Sequence, residues 1–422
     1  MKTRFDFLWR GLRTTLAGIN LLLALGMLGV YAIPWLDPRW LAPLALVGFL
    51  YYPLLAGLII CSVLWMIRGN VRFWISVVII ALGWKVHSVW WQWQWPSQST
   101  PYTLALVQGD LQKVPFDSNR NWKVISYNVG TFKLQDPSSV TSKSFSSSRD
   151  FLIKLLDAVQ PDLVGLQDFV SWEPSKSDLL RSLRLHPGLQ GYTLLGQDAK
   201  RRSFRTFLDA SIPFHSQLFR NQGKGSDDES LEMLKWVSGM VMLTRWPVLD
   251  HGYQNLGEPS HNGGMMWADI LMAKDTLRWV NLHLASNQIS PPELSPVQAL
   301  ELKSDSSQRT IKGILRKIAF SARLRAEQSD LIRAFMDESP YPLLVTGDFN
   351  DLPYSFAVKR IQQRLKDSFE SKGQGMGNTY ARTFPSFRID HVMVDPRFHV
   401  LSHELVRFGY SDHYPVVAVL GR

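Results

Sequence analysis

Leu343-Leu344-Val345-Thr346-Gly347-Asp348-Phe349-Asn350-Asp351 opens as a short apolar run and ends on carboxylate and amide side chains. The apolar run reads as a strand over 342–347. The polar residues then stand at its end, where a rigid scaffold presents chemically active groups. The same arrangement recurs along the chain. The strand Lys123–Asn128 ends in Ser126-Tyr127-Asn128, and the short buried strand Leu163–Leu166 runs into Gln167-Asp168. A strand over 277–284 carries Asn281-Leu282-His283. Arg388-Ile389-Asp390-His391 opens a strand over 389–394, and Ser411-Asp412-His413-Tyr414-Pro415 leads into one over 415–420. Further strands are expected at 239–244 and 266–272.

Helical spacing of Phe151, Leu152, Leu155, Leu156 and Val159 predicts a helix over 149–160, closed by Pro161. A longer helix is expected over about 308–337. It carries Arg309, Lys312, Arg316, Lys317, Arg323 and Arg325, either as a solvated face or as a face toward anionic lipid. The Ser-rich stretch 138–148 and the segment 221–230 read as loops. Asn262-Gly263-Gly264-Met265-Met266-Trp267-Ala268-Asp269 is either a hairpin loop or a place where substrate approaches the backbone. Many strands with helices between them predict a two-sheet α/β sandwich over 121–422.

The first 95 residues are of another kind. Residues 14–36 and 41–67 hold no charged side chain, and each is long enough to cross a hydrocarbon core, which needs about 20 apolar residues. A third candidate, 73–91, contains Lys85 and His87 and ends among Trp84, Trp90, Trp91, Trp93 and Trp95, as at a membrane interface. The first span is too long in its apolar core for a cleaved signal peptide and is followed by a second. Residues 96–120 read as a linker. Of 46 basic and 36 acidic residues, this N-terminal region holds eight and two, so over half of the net +10 lies there. Basicity is therefore mainly a topology signal. Lys2, Arg4, Arg10 and Arg13 before the first span, and Arg68 and Arg72 after the second, predict an inside N-terminus, three crossings and a cell-membrane protein whose main domain is extracytoplasmic. If 73–91 does not cross, that domain falls on the cytoplasmic side. The single cysteine, Cys61, excludes an intramolecular disulfide and a Cys-cluster metal site; it lies in an apolar run and is expected to pack.

Singly, each polar strand end has an ordinary explanation as a turn residue or surface pair. Together and in this order they resemble the endonuclease/exonuclease/phosphatase superfamily, the DNase I-like enzymes, over roughly 121–422. Gly347-Asp348-Phe349-Asn350 and Ser411-Asp412-His413-Tyr414-Pro415 are the sharpest elements. The resemblance implies a four-layer DNase I-like α/β sandwich behind an N-terminal transmembrane block, and a phosphoesterase using Mg²⁺, with Mn²⁺ as a substitute. It implies that Asp168 and Asp412 hold the metal with Asn128 in support. Asp348 orients or deprotonates the attacking water, and Asn350 holds a phosphate oxygen or the nucleophile. His413 donates to the phosphoryl group, Asp390 orients His413, and His283 acts near the leaving group or the non-bridging oxygens. One position departs from the family pattern: Asp168 stands where Glu is usual, one methylene shorter, and Mg²⁺ coordination distances are strict.

The implied partners are the bilayer and a phosphate ester, in a lipid headgroup or in nucleic acid. The tether favours lipid, by holding the site near the bilayer, and the weakly basic main domain argues against duplex binding. A membrane-anchored binding module with a decayed site is the alternative, supported by Asp168 alone. A transporter is disfavoured, because three spans with one internal Lys leave little from which to build a pathway.

Overall fold

A computed structural model of the chain describes residues 2–93, 121–130, 148–172, 192–197, 214–215, 236–257, 264–272, 275–290, 293, 304–381, 386–408 and 410–422. The expected linker over 96–120, the loop 221–230 and all but the last residue of the Ser-rich stretch lie outside these residues. Two compact units emerge. One comprises Met1–Trp91, Ile289–Glu327 and Asp351–Arg360; the other Gln92–Gln288, Gln328–Asn350 and Ile361–Arg422.

The second unit holds two mixed sheets. The first is ordered β12-β13-β1-β2-β5-β3-β4, from β1 (Asn121–Asn128), β2 (Leu163–Trp172), β3 (Tyr192–Gln197), β4 (Phe214–His215), β5 (Trp236–Thr244), β12 (His399–Leu405) and β13 (Val416–Gly421). The other is ordered β10-β11-β9-β8-β7-β6, from β6 (Val248–Asn255), β7 (Gly264–Met272), β8 (Asp275–His283), β9 (Leu343–Asp348), β10 (Lys366–Asp367) and β11 (Asp390–Val394). Each has one parallel pair at its centre, β1 with β2 and β8 with β9, flanked by antiparallel neighbours. The two parallel pairs present their C-terminal ends in register: Asn128 lies opposite Gln167, and His283 opposite Asp348.

One apolar core, including Trp122, Met242, Met266, Trp279, Leu344 and Val416, draws on both sheets. A second packs the amphipathic helix α6 (Ser148–Val159) onto the first sheet through Phe151, Leu155 and Val159. A polar layer also joins the sheets. Gln167 Nε2 donates to Asn281 Oδ1 at 2.7 Å, and Thr346 Oγ1 donates to the same oxygen at 3.0 Å. Asn281 Nδ2 donates back to the Leu166 carbonyl at 3.3 Å. Gly165 makes room for this contact, since a Cβ there would meet Asn281 Oδ1 at 2.7 Å.

In the first unit, α1 (Lys2–Ala32) and α3 (Tyr51–Ile67) carry two segments long and apolar enough to cross a membrane, Arg13–Trp35 and Ala45–Ile67, both of mean hydropathy 2.1. The second begins later than the uncharged run from 41. It takes in the last turn of a separate helix α2 (Pro38–Val47), which has Pro43 inside and Leu41 non-helical at φ −127°. The third candidate is broken: α4 (Phe73–Leu82) and α5 (Trp84–Trp90) are bent by 67° at Gly83. α1 and α3 pack through small residues. A Cβ at Gly26 would meet Leu54 at 2.9 Å, and one at Gly57 would meet Leu23 at 2.9 Å. Cys61 is buried in α3, as its setting predicts.

Candidate active site

Strand ends set the site. Asp390 opens β11 directly opposite Asp348, which closes β9, and Asp348 in turn faces His283 at the end of β8. Asp348 is buried, and both its oxygens are held. Oδ1 accepts from the Asn350 amide at 2.8 Å; Oδ2 accepts from Asn128 Nδ2 at 2.9 Å and Asn350 Nδ2 at 3.2 Å. That geometry needs a sharp turn after β9. Gly347 supplies it at φ +140°, where a Cβ would collide with the Leu282 carbonyl oxygen. Asn350 follows at φ +51°, a left-handed conformation that Asn tolerates better than most residues. Its side chain also donates to the Leu284 carbonyl at 3.0 Å, tying the turn to the end of β8.

His413 is buried beside this carboxylate. Its Nδ1 lies 2.8 Å from Asp390 Oδ2, while Nε2 points to Asp348 Oδ2 at 3.8 Å, an ion-pair separation. His283 Nε2 approaches the same Asp348 oxygen at 3.7 Å, and its Nδ1 lies 3.8 Å from Asp168 Oδ1. Two imidazoles therefore flank one buried carboxylate. Burial pushes Asp348 up to about 6; Asp390 adds to this, while His413 and His283 pull the other way. Burial disfavours charge on His413, but the carboxylates of Asp390 and Asp348 outweigh it and push its pKa up to about 10. At neutral pH the arrangement is an imidazolium held by Asp390 next to an Asp348 that is mostly ionised.

Asp168 and Asn128 complete the rim. Asp168 sits where β2 bulges between Leu166 and Phe169, at φ +50°. Its carboxylate makes only loose contacts within the site, 3.4 Å to Asn128 Nδ2 and 3.8 Å to His283, and its side chain is 33% exposed. Asn128 is oriented at both ends, since its Oδ1 accepts the Gly130 amide at 3.0 Å. Asp412 is half-buried, and Gly130 keeps the space beside it open, since a Cβ there would meet Asp412 Oδ1 at 2.8 Å.

The structure thus gathers Asn128, Asp168, His283, Asp348, Asn350, Asp390 and His413 into one contact network, with Asp412 next to His413 in sequence. Three supporting residues were not singled out for a role in the sequence. Ser411 Oγ donates to the Asn128 carbonyl at 2.8 Å and accepts the His413 amide at 3.2 Å. Thr379 Oγ1 accepts the amides of Ile389 and Asp390 at 3.0 and 3.1 Å. Tyr380 sets its ring edge-on to His413 at 5.1 Å. Thr379 and Tyr380 lie in irregular chain with no periodic signal. Gly264, by contrast, is part of β7 and packs on Tyr253 and Met240, while Asn262 and Gly263 lie outside the described residues.

Asp348, Asp390 and His413 bring one potential ligand atom each within 4.8 Å of one another. Their hydrogen bonding argues against that trio as a cation site. His413 Nδ1 is engaged by Asp390, its ring is held protonated, and both Asp348 oxygens already accept N–H bonds. The carboxylate at the solvent edge with oxygens to spare is Asp168, close to Asn128. Such hard oxygen donors fit Mg²⁺ or Mn²⁺.

A family model described as the endonuclease/exonuclease/phosphatase family matches residues 125–413. A second, for a domain of unknown function, matches residues 13–90. No curated protein matches the chain. Similar solved structures include an endonuclease/exonuclease/phosphatase of Beutenbergia cavernae, at 17% identity over 72% of each chain with a TM-score of 0.44. A mannosyl-6-phosphatase of Bacteroides thetaiotaomicron is 17% identical over 71% of this chain and 100% of its own, with a TM-score of 0.42. The catalytic domain of human Nocturnin with bound sulfate is 14% identical over 77% of this chain and 99% of its own, with a TM-score of 0.44.

Proposed function

Since the chain belongs to the endonuclease/exonuclease/phosphatase family, whose members hydrolyse phosphoesters, we propose that it is a membrane-anchored, metal-dependent phosphoesterase acting on a phosphorylated lipid headgroup. One observation carries the chemistry: Asp390 holds the His413 imidazolium against Asp348, itself locked by Asn128 and Asn350. Asp348 takes a proton from water as the water oxygen bonds to phosphorus and the bond to the leaving oxygen breaks. His413 donates to a phosphoryl oxygen as negative charge builds there. Asn350 orients the water or a non-bridging oxygen. His283, flanked by Asp168 and Asp348, serves the leaving oxygen. A divalent cation, held by Asp168 and Asp412 with Asn128 in support, would neutralise charge on the phosphoryl oxygens.

The tether supports the lipid reading, because anchoring raises the local concentration of a bilayer substrate. We assign the anchor to residues 1–95, the linker to 96–120 and the catalytic domain to 121–422. The catalytic domain lies on the outer side, consistent with Lys2, Arg4, Arg10 and Arg13 at the inner end of the first span.

The test is hydrolysis by the full chain in nanodiscs, supplied with a phospholipid, a soluble diester, a monoester and DNA, each with Mg²⁺, Mn²⁺ or chelator. The expected result is metal-dependent turnover that falls by about 10²–10³ in His413→Ala and that is greatest on the phospholipid. Preference for DNA with steep salt dependence would replace the lipid by nucleic acid. No metal-dependent turnover on any substrate would instead favour the phosphate-binding module.

A further inference from the structure

Between Asp305 and Glu327 the helix α7 (Asp305–Asp337) contains six basic residues and no acid. Two are already neutralised. Lys317 pairs with Glu293 at 2.7 Å, and Arg325, buried, pairs with Asp351 at 2.9 Å. The other four, Arg309, Lys312, Arg316 and Arg323, are exposed, and among the described residues no carboxylate pairs with them. At about 100° per residue they fall within an arc of about 60°, which Phe320 widens to about 80°, and form a stripe about 21 Å long. Phe320 is 48% exposed. The opposite face, with Ile314, Ile318, Ala322 and Arg325, is buried.

A line of cations with one large apolar ring among them suits a layer of phosphate groups backed by hydrocarbon. Phosphate contacts along a duplex make no use of such a ring. This part of α7, up to Glu327, clusters with the apolar N-terminal helices in one compact unit. The same unit exposes Trp35 and Trp40, at 73% and 85%, as an interfacial aromatic belt does.

We propose that the exposed face of α7 over Arg309–Arg323 binds the headgroups of anionic phospholipids, with Phe320 entering the acyl boundary. The contact lays this helix along the bilayer surface and makes the protein sensitive to the charge of its membrane. It rests on the membrane-anchor reading and adds a second, charge-selective attachment to it.

The test uses the full chain with Cys61→Ser and Phe320→Cys, carrying an environment-sensitive fluorophore, in vesicles of phosphatidylcholine alone or with about a third phosphatidylglycerol. The expected result is at least about twofold stronger quenching by spin-labelled lipid in the anionic vesicles, reversed by high salt. The combined variant Arg309→Gln, Lys312→Gln, Arg316→Gln, Arg323→Gln should return it to the neutral-vesicle level. Amide exchange across 305–323 in the unmodified chain should show matching protection in anionic vesicles only, which removes any dependence on the label. Equal quenching and exchange in both vesicles, from a chain that co-floats with both after an alkaline wash, overturns the proposal and leaves the anchor intact. A chain washed from both overturns the two together. A response to duplex DNA with none to phosphatidylglycerol overturns it in favour of a nucleic-acid surface.

Discussion

Asp348 and His413 are tuned in opposite directions by the same enclosure, and this fixes a pH signature. Asp348, raised to about 6, must be ionised to accept a proton, so activity rises with pH through that value. His413, raised to about 10, must stay protonated to donate, so activity falls as pH passes through it. The expected profile of kcat/KM against pH for the full chain is a bell with limbs near these two values, each belonging to the coupled set. A bound cation near Asp348 moves the acidic limb lower. Asp390→Asn removes the largest of the charges that favour the imidazolium, so the alkaline limb should move down in pH. An unmoved limb would mean that Asp390 does not govern His413. Asp168 carries a separate prediction. Its loose contacts, 3.4 and 3.8 Å, leave it free to take a cation. Asp168→Asn should therefore raise the Mn²⁺ concentration for half-maximal turnover by more than about tenfold, and calorimetric titration of Mn²⁺ should show the same loss. Unchanged binding would move the cation to other donors.

The elements beneath the site are held by a second buried network. Asp367, which caps the helix Ser368–Lys372 through the Phe369 amide at 2.8 Å, also lies 2.8 Å from Arg388 Nη1 and 2.7 Å from His391 Nδ1. Ser368 Oγ meets His403 Nδ1 at 2.8 Å. The network thus joins β10, β11 and β12, and β11 carries Asp390. Burial, aided by the Arg388 charge, pulls His391 below its ordinary value, and burial takes His403 down to about 3. Both rings are neutral when folded and take up a proton near 6.5 when unfolded. Their stability contribution is therefore complete above that pH and is lost as pH falls toward their folded values. Asp367 is held low by Arg388 and His391 against burial, and its contribution drains at still lower pH. The melting temperature in detergent should decline from about pH 6.5 downward, and His403→Gln should flatten the first part of that decline. A decline that begins only near pH 4 would exclude the histidines. The sequence marks Arg388 and His391 at the opening of a strand, but their partners Asp367, Ser368 and His403 lie on a two-residue strand, a short helix and an edge strand, so the network that joins them carries no signal of its own. The central strands were legible, since apolar runs such as 342–347 and 389–394 carry their own signal. Val248–Asn255 and His399–Leu405 were not: they sit toward sheet edges with half-exposed side chains and lack a clean apolar pattern. The site residues were legible because chemistry demands their types at strand ends. Thr379 acts through a single oxygen from irregular chain and left no such mark.

At the scale of the whole molecule, the compartment of the catalytic domain turns on the bent segment α4–α5, and contacts within the anchor give it a direction. α1 and α3 run antiparallel, with Leu23 against Gly57 and Gly26 against Leu54. Ser76 in α4 donates to Asn20 at 2.7 Å, toward the N-terminal end of the first span. Gly83 packs under the Tyr31 ring, near that span's other end. His87 then lies between Tyr31 and Tyr51, at 3.1 and 2.7 Å, and Trp90 stacks on Tyr51 at 4.5 Å. Tyr51 opens α3, so the segment that begins at the end of α3 returns to the level where α3 began. The bend at Gly83 shortens the path without reversing it. On the proposed membrane-anchor reading, such a course predicts a third crossing, with Asn70 and Gln92 on opposite sides. In a Cys61→Ser background, a membrane-impermeant thiol reagent applied to intact cells should label Gln92→Cys and spare Asn70→Cys, with both labelled after lysis. Labelling of neither position in intact cells would mean that α4–α5 re-enters on the inner side. The chain then continues on the cytoplasmic face, and the substrate must be sought among phosphoesters of the inner leaflet.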